Sequence, residues 1–359
     1  MRNSVIIFAL ASSVFAQTPG RKLDFPVDSP VLAVSSDWSE TKATPRGGAY
    51  VLDVRAVLSL RNASQKRIRG ITLSVAAQEV TPGGKASFSV PSLDVAPGEA
   101  FPLRIELPLL CPLSAGGPMV EVKLDGVLFD DLTFYGSDKL HSRRTMTVWE
   151  LEARRDRKYF KMLLETAGND GLQREILNGL DRQRERPSAG VQVGGRSTNT
   201  DPEHELQFAF LHMPDSPVDP TAGSAKIAGN EARAPHINVQ NRSDRAVKHL
   251  ELGWIVKDQQ GREFLAASIP SDVSLAPGKS APVTGDTALK FSQRTQIDSM
   301  TGFVASVEYA DGSYWIPTRG ELNDPKLRNI VAPSPEEQKL YQIYRKKGLN
   351  GLVEELKKF

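Results

Sequence analysis

The chain has 359 residues, enough for two domains, and its 40% apolar and 25% charged residues are the balance of a globular rather than a disordered protein. Basic residues exceed acidic ones by only two (45 against 43), so no overall field draws it to nucleic acid or to an anionic membrane. The single cysteine, Cys111, excludes an internal disulfide and every multi-cysteine metal site.

In chain order, the first expected element is an export signal over residues 1–16. Met1-Arg2-Asn3-Ser4 carries one positive charge, and an apolar run from Val5 to Ala11 follows. Val14 and Ala16 fit the two pockets of signal peptidase, which places cleavage between Ala16 and Gln17. A membrane span needs about 20 apolar residues, far more than this run supplies. The expected product is secreted or periplasmic, with no membrane span.

Strands are predicted over residues 17–140. Apolar residues alternate at Leu58 and Leu60, at Ile71, Leu73 and Val75, and at Phe101, Leu103, Ile105 and Leu107, the period of a sheet with one buried face. Pro82-Gly83-Gly84 reads as a hairpin loop, Asp125-Gly126 as a tight one, and Pro97-Gly98 as the centre of a type II turn. A helical pair is predicted over 141–185, with a first stripe at Val148, Leu151, Tyr159, Met162 and Leu163, a break at Gly168 and a second stripe at Leu172, Ile176 and Leu180. The cluster Arg154, Arg155, Arg157 and Lys158 is interleaved with Glu150, Glu152 and Asp156, which reads as a solvated helix face rather than a nucleic-acid stripe. Residues 186–202 are rich in proline, glycine, serine and threonine and read as a linker. Strands resume over 203–325, with turns at Asp258-Gln259-Gln260-Gly261, Pro277-Gly278 and Asp311-Gly312. A second helical pair is predicted over 334–359, opened by the capping box Ser334-Pro335-Glu336-Glu337 and broken at Gly348.

The two halves match each other. Leu58-Ser59-Leu60-Arg61-Asn62-Ala63-Ser64 aligns with Ile237-Asn238-Val239-Gln240-Asn241-Arg242-Ser243 at an offset of 179. Ala96-Pro97-Gly98-Glu99 aligns with Ala276-Pro277-Gly278-Lys279 at 180, and Gly171-Leu172 with Gly351-Leu352 at 180. Asp125-Gly126 aligns with Asp311-Gly312 only at 186, which implies a few extra residues in the second copy. A tandem duplication follows. The expected fold is mainly β with helical additions: two tandem immunoglobulin-like antiparallel β-sandwiches, each followed by a short helical pair.

The order of strand, Asn-x-Ser, alternating strand and Ala-Pro-Gly-Glu or Ala-Pro-Gly-Lys resembles bacterial secreted immunoglobulin-like repeats of the cell-adhesion-related and FxLYD types. The resemblance covers roughly residues 28–137 and 205–320. It implies non-catalytic modules on an exported protein; the helical pairs are not part of it.

Motifs for chemistry are few. Gly278-Lys279-Ser280 imitates a phosphate loop, but Val273 stands where its first glycine belongs. His204-Glu205 opens like a zincin helix, yet Phe208 occupies the second histidine position. Cys111 lies among Leu109, Leu110, Pro112 and Leu113, which supply no base, so it reads as a core residue. Asn62-Ala63-Ser64 and Asn241-Arg242-Ser243 are formal glycosylation sequons. No catalytic residue, cofactor or metal is expected. The function expected is an interaction or scaffold role outside the cytoplasm, binding another protein or a glycan. One alternative is a hydrolase or metal-dependent enzyme with a site between the two repeated units, using residues such as His204, His212 and Asp215, and a second is an envelope assembly chaperone that donates or accepts strands. For the contact surface, Val127-Leu128-Phe129 is set against Ser313-Tyr314-Trp315-Ile316. Phe129 and Trp315 then enter the two cores, and Leu128 and Tyr314 face outward as partner-binding candidates; the alternative is that the helical pair of each unit packs across this face and buries both.

Overall fold

A computed structural model describes residues 19–78, 82–113, 119–187, 191–194, 202–284, 288–291 and 295–359. Ala16 and Gln17 lie outside the described residues. The protein is mainly β, with several sheets and few helices, and it divides into two units, Met1–Glu150 and Leu151–Phe359.

In the first unit, β1 (Gly20–Asp24), β2 (Val31–Asp37), β3 (Lys42–Arg46), β4 (Ala49–Asn62), β5 (Ile68–Ala76), β6 (Lys85–Val90), β7 (Ala100–Pro112), β8 (Met119–Phe129) and β9 (Phe134–Tyr135) form two sheets. β2 and β3 share one edge of β4 and β7 takes the other; the second sheet runs β1-β8-β5-β6, with β9 on β8. The alternation read from the sequence holds along β4, where Leu52, Val54, Ala56, Leu58 and Leu60 are buried and join Ile71, Leu73, Val75 and Val122 of the other sheet in one core. One pairing departs from the antiparallel expectation: β1 runs parallel to β8.

Helix α1 (Ser142–Glu185) begins in the first unit and continues in the second. After it come β10 (Val191–Gly194), β11 (Glu203–Gln207), β12 (Ala209–Phe210), β13 (Val218–Ala228), β14 (Glu231–Asn241), β15 (Val247–Asp258), β16 (Glu263–Leu275), β17 (Ser280–Thr284), β18 (Ala288–Phe291), β19 (Ile297–Tyr309), β20 (Tyr314–Trp315), α2 (Arg319–Leu322), α3 (Pro325–Arg328) and α4 (Pro335–Leu356). One sheet runs β10-β18-β14-β13-β11, with β17 on β14; the other runs β12-β19-β15-β16, with β20 on β19. Here too a short strand, β12, lies parallel to its neighbour, β19.

The duplication is visible in side-chain detail. Asn62 is fully buried; its Nδ2 donates to the carbonyls of Lys66 (2.8 Å) and Val95 (3.1 Å), and its Oδ1 accepts from the Ser64 N–H. Asn241 repeats this with Arg245 (2.7 Å), Leu275 (3.0 Å) and Ser243. Both amide protons of each asparagine are therefore used to close a loop, and neither residue is open to glycosylation in the folded chain. Lys66 pairs with Asp131 (2.6 Å) and lies over the Phe129 ring, while Arg245 pairs with Asp311 (2.5 Å) and lies over Tyr309. The Asp131 carboxyl is held down at about 2 by its Lys66 and Thr133 hydrogen bonds, and that of Asp311 at about 2 by Ser313 and Arg245. Gly168 and Gly348 break α1 and α4 with nearly the same backbone, φ 65° and ψ −166° against φ 68° and ψ −169°. Positive φ is available to glycine at little cost.

These repeats correct one alignment. Asp125-Gly126 is not a turn but lies inside β8, with Asp125 buried. The true counterpart of Asp311 is Asp131, so the offset stays at 180 and the second copy needs no extra residues there. Phe129 then corresponds to Tyr309, and Tyr314-Trp315 to Phe134-Tyr135.

The helical residues form a cluster of their own. Phe160, Leu172, Ile176 and Leu180 of α1 pack with Leu340, Tyr341, Leu352 and Leu356 of α4. Among the described residues no helix is long and apolar enough to cross a membrane.

Candidate functional site

The second unit holds a cleft of about 180 Å³. Its polar lining is unusual: five arginines (Arg155, Arg182, Arg186, Arg319 and Arg328) against two carboxylates, Glu152 and Glu337. Leu265, Phe303, Ala305, Leu327 and Val331 supply apolar wall. The charges come from α1, from Arg186 just after it, and from α2, α3 and α4, and the sheet contributes through β15, β16 and β19.

Three of the arginines are held by the protein itself. Arg319 makes a two-pronged pair with Glu337 (2.9 and 2.8 Å) and lies over the rings of Tyr159 and Phe160. Arg155 donates to both oxygens of the buried Asp156 (2.9 and 3.2 Å) and to the Pro317 carbonyl (3.0 Å). Arg182 donates to Glu175 (3.0 Å). Ser334 caps α4 by accepting from the Glu337 N–H (3.1 Å), and its hydroxyl donates to Asp156 (2.6 Å). Only half of the capping box expected at Ser334 is formed in this way, because the Glu337 carboxylate takes Arg319 and the Tyr341 hydroxyl instead. A full box stands at Thr318 and Glu321, which the sequence reading missed.

The charges of this network are shifted in opposite directions. Burial raises the Glu337 carboxyl, but Arg319 and Tyr341 outweigh it and hold the group below its ordinary value. Burial lowers Arg186, against smaller opposing pulls from Glu337 and Tyr341. Glu152 is pushed up to about 7, first by burial and further by Asp156, Glu251 and Glu337, against the opposing pull of Arg155. The folded chain therefore keeps a proton on Glu152 that the unfolded chain has lost, and stability falls as pH rises from about 4.5 to 7. The window spans roughly 3 kcal/mol at 1.36 kcal/mol per pH unit. Glu152→Gln is expected to match the native protein in urea denaturation near pH 4.5 and to exceed it by about 2–3 kcal/mol at pH 8. Equal stabilities at pH 8 would show Glu152 to be solvated.

The residues singled out by sequence are scattered. Leu128, expected to face outward, is 1% exposed and cannot meet a partner. It pairs with Gly70, and the Met146 side chain of α1 fills the space where a Cβ on Gly70 would sit, so the first turns of the helix cover this face. Tyr314 is partly buried and pairs with Glu308. Phe129 is a core residue, whereas Trp315 is only partly buried. His212 and Asp215 line a second, more open hollow of about 540 Å³ with Glu321 and Asp324; His204 is elsewhere, on β11 opposite Ile227. Among the described residues no three His, Cys, Asp or Glu side chains are gathered as for a metal ion. Cys111 is buried, and burial raises its thiol. The face of Arg155, Asp156 and Arg157 is not solvated as expected, since Asp156 and Arg157 are buried and Arg155 is partly so.

No protein-family model matches the chain, and no curated protein matches it in sequence. Among solved structures, a Bordetella pertussis protein assigned as ApaA is 11% identical over 37% of this chain and 91% of its own, with a TM-score of 0.16. A β-glucosidase from Kluyveromyces marxianus is 8% identical over 75% of this chain and 45% of its own, with a TM-score of 0.16. Red sea bream transglutaminase is 10% identical over 77% of this chain and 31% of its own, with a TM-score of 0.13. Likenesses at these scores carry no argument about fold or function.

Proposed function

We propose that this is an exported, non-catalytic interaction protein built from two tandem immunoglobulin-like β-sandwiches with helical pairs, and that its second unit holds a partner protein or glycan in the arginine-lined cleft. The observation that supports this reading is how the polar residues are used. Those that recur in both copies, such as Asn62 with Asn241 and Asp131 with Asp311, close loops. Arg186 and Arg328, by contrast, have no carboxylate within 4.0 Å among the described residues, and they meet apolar side chains such as Leu265 and Val331 at one concave site, a combination suited to binding. The resemblance of the turn motifs to secreted repeats points the same way.

The test uses the mature chain as bait in an envelope fraction. Intact mass is expected to place its N-terminus at Gln17. A partner recovered by the native protein is expected to be lost with the pair Arg186→Gln and Arg328→Gln and retained with Tyr314→Ala. Loss with Tyr314→Ala alone, at unchanged melting temperature, would move the binding surface to the β19–β20 hairpin. A cytoplasmic product that keeps Met1 would remove the export premise.

A further inference from the structure

We propose that the cleft of the second unit binds a carboxylate carried on an apolar body, as in an acidic peptide segment, with Arg186 and Arg328 as the receiving cations. The inference rests on the reading that this cleft is a binding site and adds the chemical class of what it holds.

The argument begins with which cations are already used. Arg155, Arg182 and Arg319 are each within hydrogen-bond distance of a carboxylate of the same unit. Arg186 and Arg328 differ: among the described residues neither has a carboxylate within 4.0 Å. Arg186 is partly buried, and its Nε has no acceptor among the described residues. A desolvated guanidinium without an anion is costly, and a planar fork of donors is matched best by a carboxylate or phosphate. The nearby carboxylates cannot meet that need. Glu337 is taken by Arg319 and Tyr341, and Glu152, pushed up to about 7, holds its proton in mildly acidic solution.

The walls select between anions. Leu265, Leu322 and Val331, all partly exposed, give the cleft an apolar side that a free phosphate ion would leave unfilled. A carboxylate next to leucine-like side chains uses both surfaces. A bare sugar fits less well, because the two aromatic rings lining the cleft, Phe303 and Tyr341, are buried and present no stacking platform.

The test is fluorescence polarisation on the full mature chain with two labelled, amidated hexapeptides, one alternating leucine and glutamate and one alternating leucine and glutamine. The glutamate peptide is expected to bind at least 10-fold more tightly than the glutamine one, since charge-assisted hydrogen bonds are worth about 1.5–3 kcal/mol. Arg186→Gln and Arg328→Gln are each expected to weaken it about 10-fold, and melting curves verify that both variants fold. Inorganic phosphate is expected to compete only at far higher concentration. Binding should weaken as pH rises through 7, when Glu152 adds a negative charge to the cleft beside Arg155, and Glu152→Gln should flatten that slope. Equal binding of the two peptides would keep the cleft as a peptide site but overturn the carboxylate. Phosphate competing as well as the peptide would overturn the apolar body. No binding of either peptide, or unchanged affinity in both folded arginine variants, would overturn the proposal. The partner capture described above tests the cleft itself independently of these probes.

Discussion

Replacing Arg319 with methionine is expected to destabilise the protein by about 3–5 kcal/mol in urea denaturation at pH 7, the cost of leaving buried carboxylates without their cation. Glu337 and Asp156 are both buried, and both lie within 4.0 Å of the Arg319 guanidinium. The double variant Arg319→Met with Glu337→Gln should recover much of that loss, because it removes the stranded charge as well as its partner. A second signature follows from pH. Glu337 is held below its ordinary value in the native chain, so it contributes stability above about pH 4.5 that is lost as pH falls through its depressed value. With Arg319 gone, burial acts on Glu337 against only the Tyr341 hydrogen bond and the Arg155 charge, so the variant should lose less stability than the native protein on acidification towards pH 4. A single variant that melts like the native protein at both pH values would show the pair to be solvated.

Trp254→Ala is expected to cost about 3–5 kcal/mol, measured as a fall in the urea midpoint at an unchanged slope. The indole is fully buried against the Phe208 ring at 4.5 Å and Phe210 at 6.2 Å, in the core that joins both sheets of the second unit. Its Nε1 has no hydrogen-bond acceptor among the described residues, so Trp254→Phe removes an unsatisfied donor together with part of the packing. That variant should lose less than half as much as the alanine. Equal losses would mean that the ring phenylalanine retains adds nothing to the packing, so that buried volume does not set the cost.

The fold was legible in the sequence wherever one residue had a task that few others can perform. Asn62 and Asn241 must supply two donors and an acceptor to a loop, Gly168 and Gly348 a positive φ, and Pro97-Gly98 and Pro277-Gly278 a type II turn. The apolar alternation of β4 and β7 was equally plain. Asp-Gly misled because the dipeptide marks a turn only by preference. Asp125-Gly126 lies within a strand, while the genuine equivalent, Asp131, is followed by Leu132 and carries no glycine at all. Leu128 does stand apart from the core cluster that takes Val127 and Phe129, but the first turns of α1 cover that face and bury it. The cleft was not legible. Arg155 and Asp156 read as a wet helix face because their partners, Pro317, Arg319 and Ser334, are more than 160 residues away in the chain. Linear spacing within a helix says nothing about which face a distant segment will cover.

The helical cluster sets a schedule for folding. The first unit's strands can close as soon as residue 135 is available, but the stripe of Phe160, Leu172 and Ile176 has to wait for Leu340, Leu352 and Leu356 at the far end of the chain. Contacts this distant in sequence form late, after the entropy of closing a long loop has been overcome. During that interval α1 exposes an apolar surface, the kind that associates wrongly when chains are crowded. The stretch of α4 from Leu340 to Leu356 therefore acts as the latch that ends the vulnerable period, and a chain cut short just before Leu340 would carry the sheets and an uncovered helix.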